Sequence, residues 1–177
     1  MKMKIKLLFR KQSLFHYILY FLISAGGILL DMLSKALAVK YLKGNGTFPI
    51  IRDVLHLTYV TNTGAAFGML KDAPWVFMTI SYIFMVVLPL VLISGQLPNK
   101  LYGVALSMVF SGTVGNMIER IGKGYVVDFI DFRLIDFAVF NIADSLICVG
   151  AGLLALALII DIVNESKQLK NENDSHT

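Results

Sequence analysis

Residues 101–121 have the sequence LYGVALSMVFSGTVGNMIERI, and this stretch decides the fold. It is long enough to cross a bilayer as a helix, since a span needs about 20 residues at ~1.5 Å rise each. Its small side chains recur every four residues and the series ends in an acid: Ser107, Ser111, Gly115 and Glu119. Such a stripe is typical of close helix packing inside a membrane. We therefore expect a packed membrane helix whose polar groups gather at one end.

Three further apolar stretches accompany this one, and together the predicted spans cover residues 14–33, 75–93, 101–121 and 142–163. Of the 177 residues, 56% are hydrophobic and only 16% are charged, whereas soluble domains have about 25% charged residues. A soluble domain of this size cannot bury so much apolar surface. We predict an α-helical integral membrane protein with four transmembrane helices in one domain over residues 1–163. A polar, frayed cytoplasmic tail over residues 164–177 follows it.

The charge, cysteine and histidine content exclude several classes of protein. The formal net charge is +4, but five of the sixteen basic residues precede the first span, where they act as a membrane-orientation signal rather than a nucleic-acid surface. Cys148 is the only cysteine, so an intrachain disulfide or thiolate metal site is excluded. The three histidines lack His-Glu-x-x-His spacing. We predict no metal, no other cofactor and no nucleic-acid partner.

The orientation follows from the number of spans and from the amino-terminal charge. An even number of spans places both termini on one side, and the basic cluster places that side in the cytoplasm. Counted over the whole chain, with the amino-terminal cluster included, the sixteen basic residues divide equally between the two predicted sides, so the first span decides the orientation. A cleaved signal peptide is the alternative interpretation of residues 14–33, because Ala36-Leu37-Ala38 has the small-x-small pattern of a cleavage site. The apolar run is, however, longer than an ordinary signal peptide's.

The two long loops, residues 39–74 and 122–141, fall on the outer side of the membrane. Residues 54–61 are rich in β-branched and aromatic side chains and end at the turn sequence Asn62-Thr63-Gly64. We expect a small extracytoplasmic antiparallel sheet within an outer cradle over residues 48–73. A short interfacial helix is predicted over residues 65–70. Function is expected on this side, because long loops commonly carry binding and catalytic residues.

Ionisable residues within or beside the spans are candidates for function, because an unpaired charge is costly in lipid. Asp31 and Lys35 are four residues apart with the acid first, which favours an ion pair on one helix face. Asn141 and Asp144 begin the fourth span, where Asn141 can cap the helix and a carboxylate can face the free amides. Each of these pairs has a purely structural interpretation.

Asp128 differs from these residues because a hydrophobic run encloses it, and its partner must come from elsewhere in the fold. The third span ends and the fourth begins on the outer side, so Asp128 and Asp144 can converge. Two carboxylates at one site share a proton, one acting as a base for water and the other as an acid, as in aspartic proteases. The pattern alone does not distinguish Asp128 from Asp131 or Asp136.

Two non-enzymatic functions also remain open from these residues. A small transporter or channel would use intramembrane carboxylates to relay protons or ions, although it would not need an outer sheet. A helix-packing scaffold would need only the stripe of small residues in the third span.

Five ordered motifs resemble the lipoprotein signal peptidase family, also called signal peptidase II. They are Asp31-x-x-Ser34-Lys35, Asn62-Thr63-Gly64-Ala65-Ala66-Phe67-Gly68, Gly115-Asn116-x-x-Glu119-Arg120, Val127-Asp128-Phe129 and Phe140-Asn141-Ile142-Ala143-Asp144-Ser145. The resemblance extends over residues 31–150. It implies a bacterial inner-membrane aspartic endopeptidase that cleaves prolipoproteins before a diacylglyceryl-modified cysteine.

The resemblance also implies which residues form the site. It assigns the catalytic dyad to Asp128 and Asp144. Substrate-binding or supporting residues would be Asp31, Lys35, Asn62, Gly64, Asn116, Arg120, Asn141 and Ala143, with Glu119 where the family usually has aspartate. The partners it implies are prolipoprotein substrates, membrane lipids and globomycin-type inhibitors, and one small bundle with its own site can act as a monomer.

Two positions depart from the family pattern. Glu119 keeps the negative charge of the usual aspartate but adds a methylene, so we expect it to pair with Arg120 or Lys35 in a shifted network. Met32 replaces the usual glutamine after the first aspartate. Neither departure touches the predicted dyad.

Overall fold

The computed structural model describes residues 10–64, 74–135 and 137–174. Helices account for most of these residues: α1 (Leu14–Leu42), α2 (Pro74–Ser94), α3 (Lys100–Lys123) and α4 (Ile142–Asp174). The strands are β1 (Arg10–Lys11), β2 (Thr47–Ile51), β3 (Leu55–Asn62), β4 (Gln96–Leu97) and β5 (Val126–Phe132), and a short 3-10 helix covers Arg133–Ile135.

The helices have the length and composition of a membrane bundle. Within the described residues, three helical stretches can cross a membrane: Leu14–Leu42, Lys100–Lys123 and Ile142–Leu169. The remaining predicted span corresponds to α2, which contains a shorter apolar stretch, Met78–Ser94. The predicted fold class, a helical membrane protein with a small antiparallel sheet, is therefore confirmed. The predicted helix over residues 65–70 lies outside the described residues.

Two helices extend beyond the predicted spans. Helix α1 continues past residue 33 to Leu42, because Asp31 and Lys35 pair on one face of the helix and neither glycine nor proline occurs between residue 33 and Gly44. Helix α4 continues to Asp174, where a frayed tail was predicted. The residues after Asn164 include several strong helix formers and no glycine or proline, so intrinsic propensity extends the helix beyond its apolar part.

Helix α3 is the centre of the bundle and packs against the other three helices. The small residues in it permit this close approach. A Cβ atom built on Gly27 of α1 would lie 2.5 Å from Oγ of Ser111, so these two helices touch through their smallest side chains. Ser107 and Ser111 are completely buried. The predicted packing role of the small-residue stripe is confirmed.

The sheet β2-β3-β5 is antiparallel and joins the two long loops, residues 39–74 and 122–141. Strand β5 was predicted only as part of a loop, although its Val-Val and Phe-Ile pairs have high β propensity. Gly124, with φ 78°, ends α3 by donating its N–H to the carbonyl of Arg120 at 3.0 Å. The left-handed (αL) backbone conformation lets the chain turn away from the end of a helix, and glycine adopts it at the lowest cost. Gly124 therefore directs the chain from α3 into β5.

The sheet is held against the bundle by an apolar cluster. Ala38 of α1 and Val127 and Phe129 of β5 are its buried members. At the other end of the bundle, β1 pairs with β4, so Arg10 and Lys11 lie beside the α2–α3 connection. The sheet β2-β3-β5 therefore lies at the end of the bundle opposite β1, next to the end of α3 and the beginning of α4.

Candidate active site

Asp128 and Asp144 line one cavity at the junction of β5, α3 and α4. Its volume is about 380 Å³. Asn62 and Arg120 also line it, and its apolar wall is formed by Val126, Phe137, Ala138, Val139, Phe140 and Ile147, together with Ser145 and Cys148. The structure therefore brings together the two predicted aspartates, which are sixteen residues apart in the sequence, beside a mostly apolar surface.

Asp128 is almost fully buried and is held by two amides. Asn62 Nδ2 donates to its Oδ2 at 2.9 Å, and Asn141 Nδ2 donates to its Oδ1 at 2.6 Å. Burial, together with the negative charge of Asp144, raises the pKa of Asp128 to about 6 against the lowering effect of the two amides. The protonated form of Asp128 is thus accessible near neutral pH.

Asp144 lies in the first turn of α4 and forms a reciprocal cap with Asn141. The backbone N–H of Asp144 donates to Asn141 Oδ1 at 2.9 Å, and the backbone N–H of Asn141 donates to Asp144 Oδ2 at 3.2 Å. This is the geometry of a capping box. The predicted capping role of Asn141 is confirmed. Because Asn141 also binds Asp128, one side chain connects the helix cap to both aspartates.

Asn116 of α3 connects Asp144 to the buried ion pair. Its Nδ2 donates to Asp144 Oδ1 at 2.8 Å, and its Oδ1 accepts from Lys35 Nζ at 2.9 Å. Asn141 Nδ2 also approaches Asn116 Oδ1, at 3.2 Å. These contacts determine the orientation of the Asn116 amide, so that its donor end faces the Asp144 carboxylate.

Asp31 and Lys35 form the predicted ion pair on the inner side of this network. Lys35 Nζ lies 2.7 Å from Asp31 Oδ2, and both side chains are buried. The other oxygen of Asp31 accepts the backbone N–H of Ala143 at 2.9 Å. Since this N–H is one of the free amides at the start of α4, Asp31 attaches α1 to the turn that carries Asp144.

Glu119 adds a second acid to the same ammonium group. Its Oε2 lies 3.5 Å from Lys35 Nζ and accepts the backbone N–H of Val127 at 2.8 Å. Its other oxygen binds Lys123 at 2.8 Å. Of the two predicted partners, Lys35 is therefore the one found in this network. The bond to Val127 also attaches α3 to the residue immediately before Asp128.

Asn62 and Arg120 line the cavity, and both are hydrogen-bonded to Gly64. The N–H of Gly64 donates to Asn62 Oδ1 at 2.9 Å, which orients the Asn62 amide toward Asp128. Arg120 Nη2 donates to the Gly64 carbonyl at 3.3 Å. The guanidinium group thus supplies positive charge to the cavity and supports the turn after β3.

The remaining aspartates of the outer loop lie elsewhere. Asp131 is three residues after Asp128 in β5 and so points to the other face of the sheet, where it binds Thr58 and Arg133. Asp136 is outside the described residues. The sequence did not identify the cavity wall, although the apolar run over residues 137–140 immediately before Asn141 is a signal for it. Among the described residues, no group of three or more acids, histidines and cysteines is placed to hold a metal ion.

Comparisons with known proteins agree with this arrangement. The profile of the family described as "Signal peptidase (SPase) II" matches residues 10–160. A "Lipoprotein signal peptidase" of Caldanaerobacter subterraneus subsp. tengcongensis is 47% identical over 133 residues, which are 75% of this chain and 90% of that protein. One of Brevibacillus brevis is 43% identical over 144 residues, 80% of this chain and 95% of that protein.

The fold is also similar to solved structures. A structure described as a bacterial membrane enzyme, obtained by the in meso method at 2.3 Å resolution, superposes with a TM-score of 0.78. The two chains are 34% identical, and the match covers 88% of this chain and 94% of the other. A second such structure, at 1.9 Å resolution, gives a TM-score of 0.72 at 34% identity, covering 85% of this chain and 96% of that one.

Proposed function

The chain belongs to the signal peptidase II family, and on that premise we propose that it cleaves prolipoproteins by an aspartic mechanism with Asp128 and Asp144 as the dyad. Membership makes it a membrane peptidase that removes signal peptides from prolipoproteins. The observation that carries the mechanism is the shared cavity, in which Asn141 binds both aspartates. Paired carboxylates in one partly desolvated site are suited to general acid–base catalysis.

Asp128 holds the shared proton in this mechanism and Asp144 is the base. Burial raises the pKa of Asp128 to about 6, whereas Asp144 accepts hydrogen bonds from the Asn116 amide and from the backbone N–H of Asn141. Asp144 takes a proton from water as the water oxygen bonds to the scissile carbonyl carbon. As the C–N bond breaks, Asp128 gives its proton to the departing amine. Proton transfer from Asp144 to Asp128 then restores the starting state.

The substrate cysteine fits an apolar cavity at the membrane surface. A diacylglyceryl group gains about 0.8 kcal/mol of membrane affinity per buried methylene, so it keeps the scissile bond at the depth of the outer interface. The wall formed by residues 137–140 and Ile147 of α4 is apolar and borders the dyad. We assign cleavage to the bond before the lipid-modified cysteine, with the acyl chains directed along this wall into the lipid.

The orientation follows from the two ends of the bundle. Arg10 and Lys11, the last two residues of the basic amino-terminal cluster, lie beside the α2–α3 connection, and the cavity lies at the opposite end of α3. With the basic end in the cytoplasm, both termini are cytoplasmic and the dyad faces outward. One chain contributes all of the residues in the network, which supports action as a monomer. Globomycin-type peptides are expected to compete for the same cavity.

The decisive test uses purified protein in detergent with a diacylglyceryl-modified prolipoprotein. Asp128→Asn and Asp144→Asn should each abolish measurable cleavage while retaining the yield and the unfolding temperature of a folded protein. Asp53→Asn is the matched control, because Asp53 is an exposed turn residue with φ 61°, a conformation that asparagine tolerates. Full activity in either dyad variant would refute the proposed mechanism. Cleavage after the modified cysteine would refute the assignment of the scissile bond.

A further inference from the structure

The pairing of β3 with β5 contains one extra residue on the β3 side. Leu57 pairs with Ile130, and Asn62 pairs with Val126. Leu57 and Asn62 are five residues apart, so a regular strand would place their side chains on opposite faces of the sheet. Their partners, Ile130 and Val126, are four residues apart and lie on the same face. The register shifts between Leu57 and Val60. This shift is a β-bulge, in which two residues of one strand oppose a single residue of the other.

The bulge decides on which face of the sheet Asn62 lies. After it, Val60 pairs with Asp128, so Asn62 lies two residues along the same face as that aspartate. Without the bulge, the register that pairs Leu57 with Ile130 would continue along the strand, and Asn62 would point to the face opposite Asp128. This is because a shift of one residue moves every following side chain to the other face of the sheet. The 2.9 Å bond from Asn62 Nδ2 to Asp128 Oδ2 therefore depends on the extra residue.

A polar cluster on the opposite face holds the bulge at Thr58. Thr58 Oγ1 donates to Asp131 Oδ2 at 2.6 Å and lies 2.8 Å from Thr47 Oγ1 of β2. Arg133 Nε binds the same Asp131 oxygen at 2.9 Å. The chain at the bulge is thus attached by its side chain to both neighbouring strands.

The anchoring acid is ionised in this cluster. Burial by itself raises the pKa of Asp131, but the hydrogen bonds from Thr58 and Arg133 outweigh that effect and hold the pKa below its usual value. The bond from Thr58 is therefore made to a charged acceptor, and such bonds are shorter and stronger than neutral ones. Only 12% of the Asp131 side chain is exposed, which limits the access of water to the bond.

We propose that Thr58 and Asp131 are positioning residues that hold the β3 bulge, and thereby keep the Asn62 amide on Asp128. This inference rests on the proposed function, since it assigns a cause to the geometry of one member of the dyad. Thr58 and Asp131 do not touch the substrate in this scheme, and they act only through Asn62.

A double-mutant cycle between Thr58→Val and Asn62→Ala tests this dependence. In the parent protein, Thr58→Val should lower kcat for a diacylglyceryl-modified prolipoprotein by about tenfold, the size expected for losing one hydrogen bond to a charged group. In the Asn62→Ala background the same change should lower kcat less than twofold, because the amide that Thr58 positions is already gone. Thr58→Ser, which keeps the hydroxyl, should restore parental activity. Thr61→Val is the matched control, an exposed threonine on the same strand, and should retain parental kcat.

The pH profile provides a readout that a purely structural role would not move. Losing the Asn62 bond raises the pKa of Asp128, since that bond favours its charged form. Thr58→Val and Asn62→Ala should therefore shift the alkaline limb of kcat to higher pH, and the double variant should shift it no further. If Thr58→Val folds poorly, Asp131→Asn, which preserves the side-chain size, replaces it in the double-mutant cycle with Asn62→Ala, and the same results are expected.

The positioning role would be overturned if Thr58→Val lowered kcat by the same factor in the parent and in the Asn62→Ala background. It would also be overturned if Thr58→Val left the alkaline limb of the pH profile of kcat where it is in the parent. Asp128→Asn separates this failure from a failure of the proposed function. If Asp128→Asn is inactive and the cycle is multiplicative, only the positioning role fails. If Asp128→Asn cleaves normally, the assignment of the dyad fails first.

Discussion

The side-chain amide of Asn141 donates a 2.6 Å hydrogen bond to Oδ1 of Asp128. The oxygen of the same amide caps α4 by accepting the backbone N–H of Asp144. One residue thus sets the distance between a strand and a helix terminus, and each of these elements carries one aspartate. The placement of the dyad depends on a cap that would otherwise have only a structural role.

Replacing Asn141 with alanine should lower both activity and stability. The lost cap costs about 1 kcal/mol of unfolding free energy, and the lost buried hydrogen bonds to Asp128 and Asn116 cost about 1–3 kcal/mol more. Misplacement of the proposed dyad should lower kcat by about 100-fold. Asn99→Ala removes the corresponding cap of α3 at the other end of the bundle. It should lose only about 1 kcal/mol of stability and keep parental kcat, as measured by thermal unfolding and cleavage in the same detergent. Equal losses of kcat in the two variants would contradict the role of Asn141.

Replacing Lys35 with methionine should be strongly destabilising. Lys35 is 2% exposed and lies against two buried acids, Asp31 and Glu119, so its loss leaves uncompensated negative charge. Breaking a buried pair in this way costs about 3–5 kcal/mol. Lys123→Met removes a half-exposed partner of the same Glu119 and should cost less than about 1 kcal/mol. Similar unfolding temperatures for the two variants would show that the buried ammonium contributes no special stability.

Replacing Gly115 with alanine should disturb Asp31. A Cβ atom at this position would lie 2.5 Å from Asp31 Oδ2, so the carboxylate would have to leave its place against Lys35 and the Ala143 amide. We expect lower stability and at least about tenfold lower kcat. Gly122→Ala, near the end of the same helix, meets no described atom within 4 Å and should be neutral or slightly stabilising. Parental activity and stability in Gly115→Ala would show that α1 and α3 can separate without cost.

The buried carboxyl of Asp128 should make stability depend on pH. Burial raises its pKa to about 6 from its ordinary value of 3.8. Between these two values the folded protein keeps a proton that the unfolded chain has lost, so this group's contribution to stability falls as the pH rises. Asp128→Asn removes the titration. Its unfolding free energy relative to the parent should therefore increase from pH 4 to pH 7, by up to about 3 kcal/mol.

Thermal unfolding of both proteins in one detergent across this pH range measures that difference. Asp53→Asn, at an exposed position, should show a difference from the parent that does not change with pH. A flat difference for Asp128→Asn, or one that declines with rising pH, would contradict the raised pKa.

The contacts within a single helix or its cap could be predicted from the sequence. The Asp31–Lys35 pair depends on four-residue helical spacing, and the Asn141–Asp144 cap depends on neighbouring residues. The bond from Asp31 to the Ala143 amide could not be predicted in this way, because it joins α1 to α4 across 112 positions. Strand β5 was missed because its hydrophobic run is buried on both faces and lacks the alternation of a surface strand.

The sequence by itself determined that lipid is part of the solvent, where the apolar helices begin, and which few polar side chains must be paired. These properties follow from composition and from the local helical period, which act over a few residues. Only the tertiary structure decided which aspartate meets Asp144. Asp128 and Asp131 are close in the sequence but point to opposite faces of β5, and the bulge in β3 determines which of them Asn62 can reach. Strand register depends on distant pairing, so local periodicity does not specify it.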